Sequence, residues 1–124
     1  MTHENPALQK CFSEARLNGL TLRNRIIKAG TFEGKTPGGL PTPALTELHR
    51  RIGVGGTAMT TIAYCAAEND GRLNENMMYM EEYVRVLLSA TIATIKISGT
   101  RVAGQLCHAG GFSKNAQLSS WLPK

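Results

Sequence analysis

Long hydrophobic runs are missing from this chain of 124 residues. The longest apolar candidate, Val86 to Ile95, is bounded by Arg85 and Lys96, far short of the ~20 residues a membrane-spanning helix needs. No membrane span is expected. Aromatic side chains are scarce, at 6%, and the basic residues are scattered, with no run longer than the pair Arg50-Arg51. A net charge of +5 without clustering or interleaved aromatics is not the footprint of a nucleic-acid surface, so no nucleic-acid partner is expected. Cysteine is limited to Cys11, Cys65 and Cys107. They are far apart, form no C-x-x-C and have no Cys/His ligand spacing, which argues against a structural zinc. An odd count also argues against a closed disulfide framework and fits a reducing compartment. Met1 to Pro6 has neither the basic nor the apolar region of a secretory signal. The expectation is a cytoplasmic protein.

Nucleophile and phosphate signatures are missing too. The chain has no G-x-S-x-G, no G-x-x-x-x-G-K-[ST] and no G-x-G-x-x-G. Gly53-x-Gly55-Gly56 follows a helical pattern rather than a strand, so it is not a dinucleotide fingerprint. What is present is ordinary globular composition, 42% apolar and 19% charged, with enough chain for a real core.

After a polar lead over residues 1–10, Leu17 and Leu20-Thr-Leu22 flank Asn18-Gly19, the signature of a type I′ hairpin whose central positions both need positive φ. Ile26-Ile27-Lys28-Ala29, ending at Gly30, reads as the first strand of the main fold. Residues 34–43 carry three Gly and three Pro and read as a loop. Thr42 as N-cap and Pro43 at the first helical position start a helix, which the pattern ends near Arg51, before Gly53. Ala58 to Tyr64 is an apolar run without charge alternation, the look of a strand buried on both faces. A polar loop (Glu68 to Asn76) precedes a helix over Glu81 to Ile97, with Tyr83, Val84, Leu87, Leu88, Thr91 and Ile95 at helical spacing on one face. Gly99 ends it, and Thr100 to Leu106 is a third strand. The tail from Gly110 to Trp121 and Lys124 is polar and aperiodic. Strands alternating with helices imply βαβ crossovers and a parallel sheet; periodicity does not choose between a barrel and an open sheet.

The distinctive residues sit at the ends of the three strands: Gly30-Thr31-Phe32-Glu33, Ala63-Tyr64-Cys65 and Gln105-Leu106-Cys107-His108. In parallel α/β folds, ligands bind at the carboxyl ends of strands, so the three clusters converge. They contain no nucleophile-and-base set. They offer an amide, a hydroxyl, an imidazole and aromatic surface, which suits a flat heteroaromatic ring; a Gln side chain can both donate and accept at one edge. Plainer readings stand beside these. A buried Gln can satisfy backbone groups, His108 can be a structural loop residue, Thr60 and Thr61 can be strand formers, and Cys65 and Cys107 can be inert buried thiols. The Gly/Pro loop can be a connection or can shape a pocket.

The run from Leu17 through Asn24-Arg25-Ile26-Ile27-Lys28 to Ala29 resembles the opening of Old Yellow Enzyme relatives. There a hairpin closes the barrel floor and an Asn-Arg step enters the first strand. Gly71-Arg72 resembles the Gly-Arg that follows the second strand of that family, and Gln105-Leu-Cys-His108-Ala-Gly110 its third-strand Gln-Leu-x-His-x-Gly. Their order and spacing match over roughly residues 12–112. Lys28 to Gly34 and Thr60 to Cys65 resemble the NADH:flavin oxidoreductase branch, which includes the 2,4-dienoyl-CoA reductases.

The resemblance implies an α/β fold: an N-terminal hairpin plus about three βα units of a TIM (β/α)₈ barrel, incomplete because a whole barrel takes ~250 residues. It divides the chain into a flexible lead, 1–11, and a partial flavin-binding barrel domain, 12–124. It implies FMN as cofactor, NADH or NADPH as reductant, and a small alkene or enone as substrate. The family's flavin contacts fall on Gln105, Gly30, Thr31, Phe32 and Tyr64. Phe32 stands where the family usually has a hydrogen-bonding Thr or Cys, Thr31 is one position early, Tyr64 replaces smaller residues, and Gly111 stands where an Arg often follows. The family's catalytic His/Asn or His/His pair, proton donor and phosphate grip follow the third strand, so no catalytic residue is expected here. The expectation is therefore an N-terminal fragment of an ene-reductase, inactive alone. The alternative is an inactive truncated remnant that acts as a binding or interaction module through exposed apolar faces.

Overall fold

The computed structural model describes residues 5–114. The start of the polar lead and most of the polar tail, with Trp121, lie outside the described residues. Asn18 (φ 41°) and Gly19 (φ 79°) make the turn of a hairpin, in which β1 (Ala15–Leu17) pairs antiparallel with β2 (Leu20–Leu22). Asn tolerates the left-handed region and Gly is indifferent to it, which is why this dipeptide sets the turn. The hairpin buries Leu22 against Ala58 and Met59, at the start of the central strand.

Immediately after the hairpin, Arg23 stitches this floor together. Its guanidinium donates to the carbonyls of Ser98 (2.9 Å), Gly53 (2.6 Å) and Thr57 (2.9 Å), and to Thr100 Oγ1 (2.9 Å). Asn24 Nδ2 donates to the Gly56 carbonyl at 2.7 Å. Arg23 and Asn24 are thus a set of ties to loops at the N-terminal ends of the strands.

The main sheet is parallel. β3 (Ile27–Lys28) and β6 (Arg101–Cys107) flank β4 (Met59–Ala66), and β5 (Met78–Tyr79) pairs with the last residues of β4. α2 (Pro43–Val54) and α3 (Glu82–Lys96) are the crossover helices. Thr42 Oγ1 accepts from the Leu45 amide at 3.2 Å and Pro43 opens the helix, which satisfies one free N–H and wastes none. Leu45 of α2, Val84 and Ile95 of α3, and Ile62 and Cys65 of β4 form the core with Met78. Full burial of a side chain the size of Leu, Val or Ile contributes about 1.5–3 kcal/mol before entropy is counted. The α/β architecture, hairpin first and parallel strands interleaved with helices, is a partial TIM-barrel-like unit, as expected.

Four details differ from the sequence reading. α2 continues through Gly53 to Val54, with Gly55 as its C-cap. Gly53 is a point of close approach rather than a stop: a Cβ there would lie 2.3 Å from Ser98 Oγ and 2.7 Å from Thr100 Oγ1. Tyr83 points to solvent while Val84, Thr91 and Ile95 face the core, because residue 83 is rotated about 100° from 84 at 3.6 residues per turn. β5 is two residues long and shows no periodicity to read. α1 (Pro6–Phe12) occupies most of the polar lead; Asn5 Oδ1 caps it by accepting from the Ala7 amide at 3.0 Å, and it buries no side chain.

Candidate functional site

β3 stops at Lys28, and residues 29–36 leave the strand without entering a helix. Within this segment Gly30 passes so close to β6 that a Cβ on it would lie 2.0 Å from Gln105 Oε1 and 3.4 Å from the Cβ of Ala63. The carboxyl ends of β3, β4 and β6 therefore meet at Gly30, Ala63 and Gln105. Phe32 and Tyr64 stack beside this point, ring centroids 6.0 Å apart and planes at 23°. Tyr64 and Gln105 also line a cavity of about 280 Å³, shared with Leu73, Met77, Cys107, His108 and Phe112. Gly30, Phe32, Tyr64 and Gln105 are thus brought together at one end of the sheet. Thr31 lies between Gly30 and Phe32, exposed.

The polar groups here are unspent. Gln105 is exposed, and its amide bonds to no other described residue. It satisfies no backbone group among the described residues. The backbone N–H and C=O groups of Gly30, Thr31 and Phe32 also have no partner among the described residues. A carboxamide and three peptide units at the mouth of a parallel sheet are free to meet a ligand.

The two downstream motifs pack on each other. Gly71 lies flat against His108, where a Cβ would come within 2.7 Å of the imidazole Cδ2, and the Ala109 amide donates to the Gly71 carbonyl at 2.8 Å. The Gly110 amide donates to His108 Nδ1 at 3.0 Å, which leaves Nε2 toward Asp70, 3.9 Å away. Arg72 sits over the Tyr79 ring at 5.1 Å and donates to the Glu75 carbonyl at 3.1 Å. His108 is therefore built into a loop brace at the rim of the cavity, the plainer of its two readings. The thiols are quiet as well. Burial, with the neighbouring Cys107, pushes Cys65 up to about 11, and burial raises Cys107.

Sequence reasoning missed a charged network directly behind the site. Glu33, with a 4% exposed side chain, pairs with Lys28 and accepts from the Ala63 amide at 3.2 Å. His49 of α2, fully buried, places Nε2 3.5 Å from Glu33 Oε1. Its Nδ1 meets Thr60 Oγ1 at 2.6 Å, so Thr60 is more than a strand former. Burial opposes ionisation of Glu33, but the contacts with His49, Lys28 and the Ala63 amide outweigh it and hold the carboxyl below its ordinary 4.5. One available signal was the placement of His49 four residues after Leu45 and four before Gly53, on the buried stripe of α2.

The parallel βα units with convergent strand ends form a partial TIM-barrel-like unit of an α/β protein. No protein-family model matches the chain. Among curated proteins it is 42% identical over 99 residues to a 4,4'-dithiodibutanoate disulfide reductase of Rhodococcus erythropolis, covering 80% of this chain and 25% of the relative. It is 28% identical over 105 residues to a metal reductase of Desulforamulus reducens, covering 85% of this chain and 16% of that one. The chain spans a quarter or less of the length of the curated relatives it matches. Among solved structures, morphinone reductase in complex with tetrahydroNAD superposes with a TM-score of 0.76 at 19% identity, over 83% of this chain and 28% of that one. The old yellow enzyme from Trypanosoma cruzi does so at 0.76 and 18% identity, over 95% and 32%. The chain has the fold of part of morphinone reductase and the old yellow enzymes. No helix among the described residues is long and apolar enough to cross a membrane.

Proposed function

We propose that this chain forms one wall of an FMN site in an NAD(P)H-dependent oxidoreductase of the Old Yellow Enzyme group. The observation that carries the reading is the unpaired hydrogen-bonding surface at the strand ends: the Gln105 amide facing Gly30, beside the bare peptide groups of Gly30, Thr31 and Phe32. A flavin's pyrimidine edge alternates donors and acceptors, which a carboxamide and peptide groups can match. Gly30 keeps space open that any side chain would fill, and the Phe32–Tyr64 pair supplies apolar surface for a flat ring. Phe32 offers no side-chain hydrogen bond, so polar contact there falls to its backbone and to Thr31. When bound, FMN supplies the redox chemistry, taking a hydride from NADH or NADPH and passing reducing equivalents to the substrate. The chain's own part is to bind and orient the ring and keep its edge out of water.

Two substrate classes follow from different supports. The fold group points to an activated alkene or enone. The 42% identical relative is named for a disulfide, which adds 4,4'-dithiodibutanoate as a probe. The test is to titrate the purified protein with FMN while following flavin fluorescence. NADH or NADPH is then added, with 2-cyclohexenone or 4,4'-dithiodibutanoate as acceptor. Quenching on binding, followed by bleaching with NAD(P)H and recovery with one acceptor, is expected. A cooperatively folded protein that leaves FMN fluorescence unchanged would favour the alternative, a flavin-free interaction module, for which the exposed Leu106 and Phe112 speak.

A further inference from the structure

We propose that Glu33 is a positioning residue for this wall, holding the Gly30–Phe32 backbone through Lys28, the Ala63 amide and His49. The role rests on the flavin reading above. β3 pairs with β4 only as far as Lys28 opposite Thr60. Beyond that point β4 presents the Thr61 carbonyl and the Ala63 amide, groups that a longer β3 would have paired. Side chains take them instead. Lys28 Nζ donates to the Thr61 carbonyl at 3.0 Å, and Glu33 Oε2 accepts from the Ala63 amide at 3.2 Å. Lys28 and Glu33 bracket the segment, and they also pair with each other. Had the strand continued, the peptide groups of Gly30 to Phe32 would be consumed in the ladder and unable to meet a ligand. Replacing two ladder bonds by two side chains leaves that stretch both anchored and free.

The anchor is itself held. A carboxylate with 4% exposure needs partners for its charge. Lys28 supplies one, and His49 approaches from α2. His49 Nδ1 meets the Thr60 hydroxyl at 2.6 Å, and its buried Nε2, which has no hydrogen-bond partner among the described residues, lies 3.5 Å from Glu33 Oε1. The wall is thereby bonded to β3 and β4, with His49 of α2 close against the carboxylate.

The test compares the unsubstituted protein with Glu33→Ala and Glu33→Gln, by FMN titration and by hydrogen exchange of the Ala63 amide in the flavin-free protein. Glu33→Ala is expected to raise the FMN dissociation constant about tenfold or more and Glu33→Gln about threefold, since the amide oxygen of Gln still accepts from Ala63. Ala63 exchange is expected to accelerate in Glu33→Ala. A folded Glu33→Ala protein that binds FMN as tightly as the unsubstituted one overturns the role. If Glu33→Ala fails to fold, Glu33→Gln carries the affinity readout, and unchanged affinity there has the same force. Failure of the unsubstituted protein to bind FMN sinks the flavin reading and this role with it, while Ala63 exchange still reports separately whether the anchor exists.

Discussion

Because the Gln105 amide bonds to no other described residue, its removal separates site from fold. Gln105→Ala is expected to leave the melting temperature nearly unchanged, as exposed positions without partners shift stability by no more than ~0.5 kcal/mol. It is expected to weaken FMN binding about tenfold, the equivalent of one lost hydrogen bond of ~1.4 kcal/mol. Thermal unfolding and flavin titration on the same sample check both halves, and a large drop in stability would assign Gln105 to the fold instead. Glu33 behaves in the opposite way. Its carboxyl titrates below 4.5 in the folded protein, so the unfolded chain binds the proton more readily. The stabilisation is complete above the ordinary value and is lost as pH falls through the lower, folded one. Urea midpoints taken from about pH 6 down to about pH 3 are expected to fall more steeply for the unsubstituted protein than for Glu33→Gln, which has no carboxyl to protonate. Parallel curves would remove Glu33 from the acid response.

At the scale of elements, the starts were legible and the ends less so. Asn18-Gly19 announced its hairpin because few residues accept positive φ, and Thr42-Pro43 announced α2 because both residues suit a helix start and little else. Gly53 misled for a physical reason. A glycine that ends a helix and a glycine that lets a loop approach look the same in one dimension, and only the contact with Ser98 and Thr100 tells them apart. Gly53→Ala keeps a good helix former, yet is expected to destabilise by roughly 1–3 kcal/mol through overpacking. The double change Gly53→Ala with Ser98→Gly removes the nearest obstacle and is expected to recover most of the loss by chemical denaturation. No recovery would mean the glycine is needed for another reason. That the Gly30 and Gln105 clusters converge was legible from the rule that parallel strands gather their carboxyl ends, and resemblance to a family singled out the two residues. Beyond the place of His49 on the buried stripe of α2, the Glu33–His49 contact was not legible, because it joins a loop to a helix sixteen positions later with no motif between them.

For the whole molecule, β6 is an outer strand and no described strand pairs with its far side. Leu106 is 60% exposed and Phe112 86% exposed beside that edge. A strand edge flanked by bare apolar side chains invites association. The 124-residue chain on its own is expected to self-associate with rising concentration in sedimentation experiments, and Leu106→Lys is expected to shift it toward monomer. A chain that stays monomeric at every concentration would show the edge to be protected.

The central place of β4 bears on the order of synthesis. A ribosome releases the chain from its amino end, so β4 emerges with β3 already available on one side, while β6, its neighbour on the opposite side, is not made until all of α3 has been. For that interval the nascent chain carries one bare flank on its most apolar strand. Molecular chaperones that shield exposed apolar segments would have their greatest effect between the emergence of Ala66 and that of Cys107.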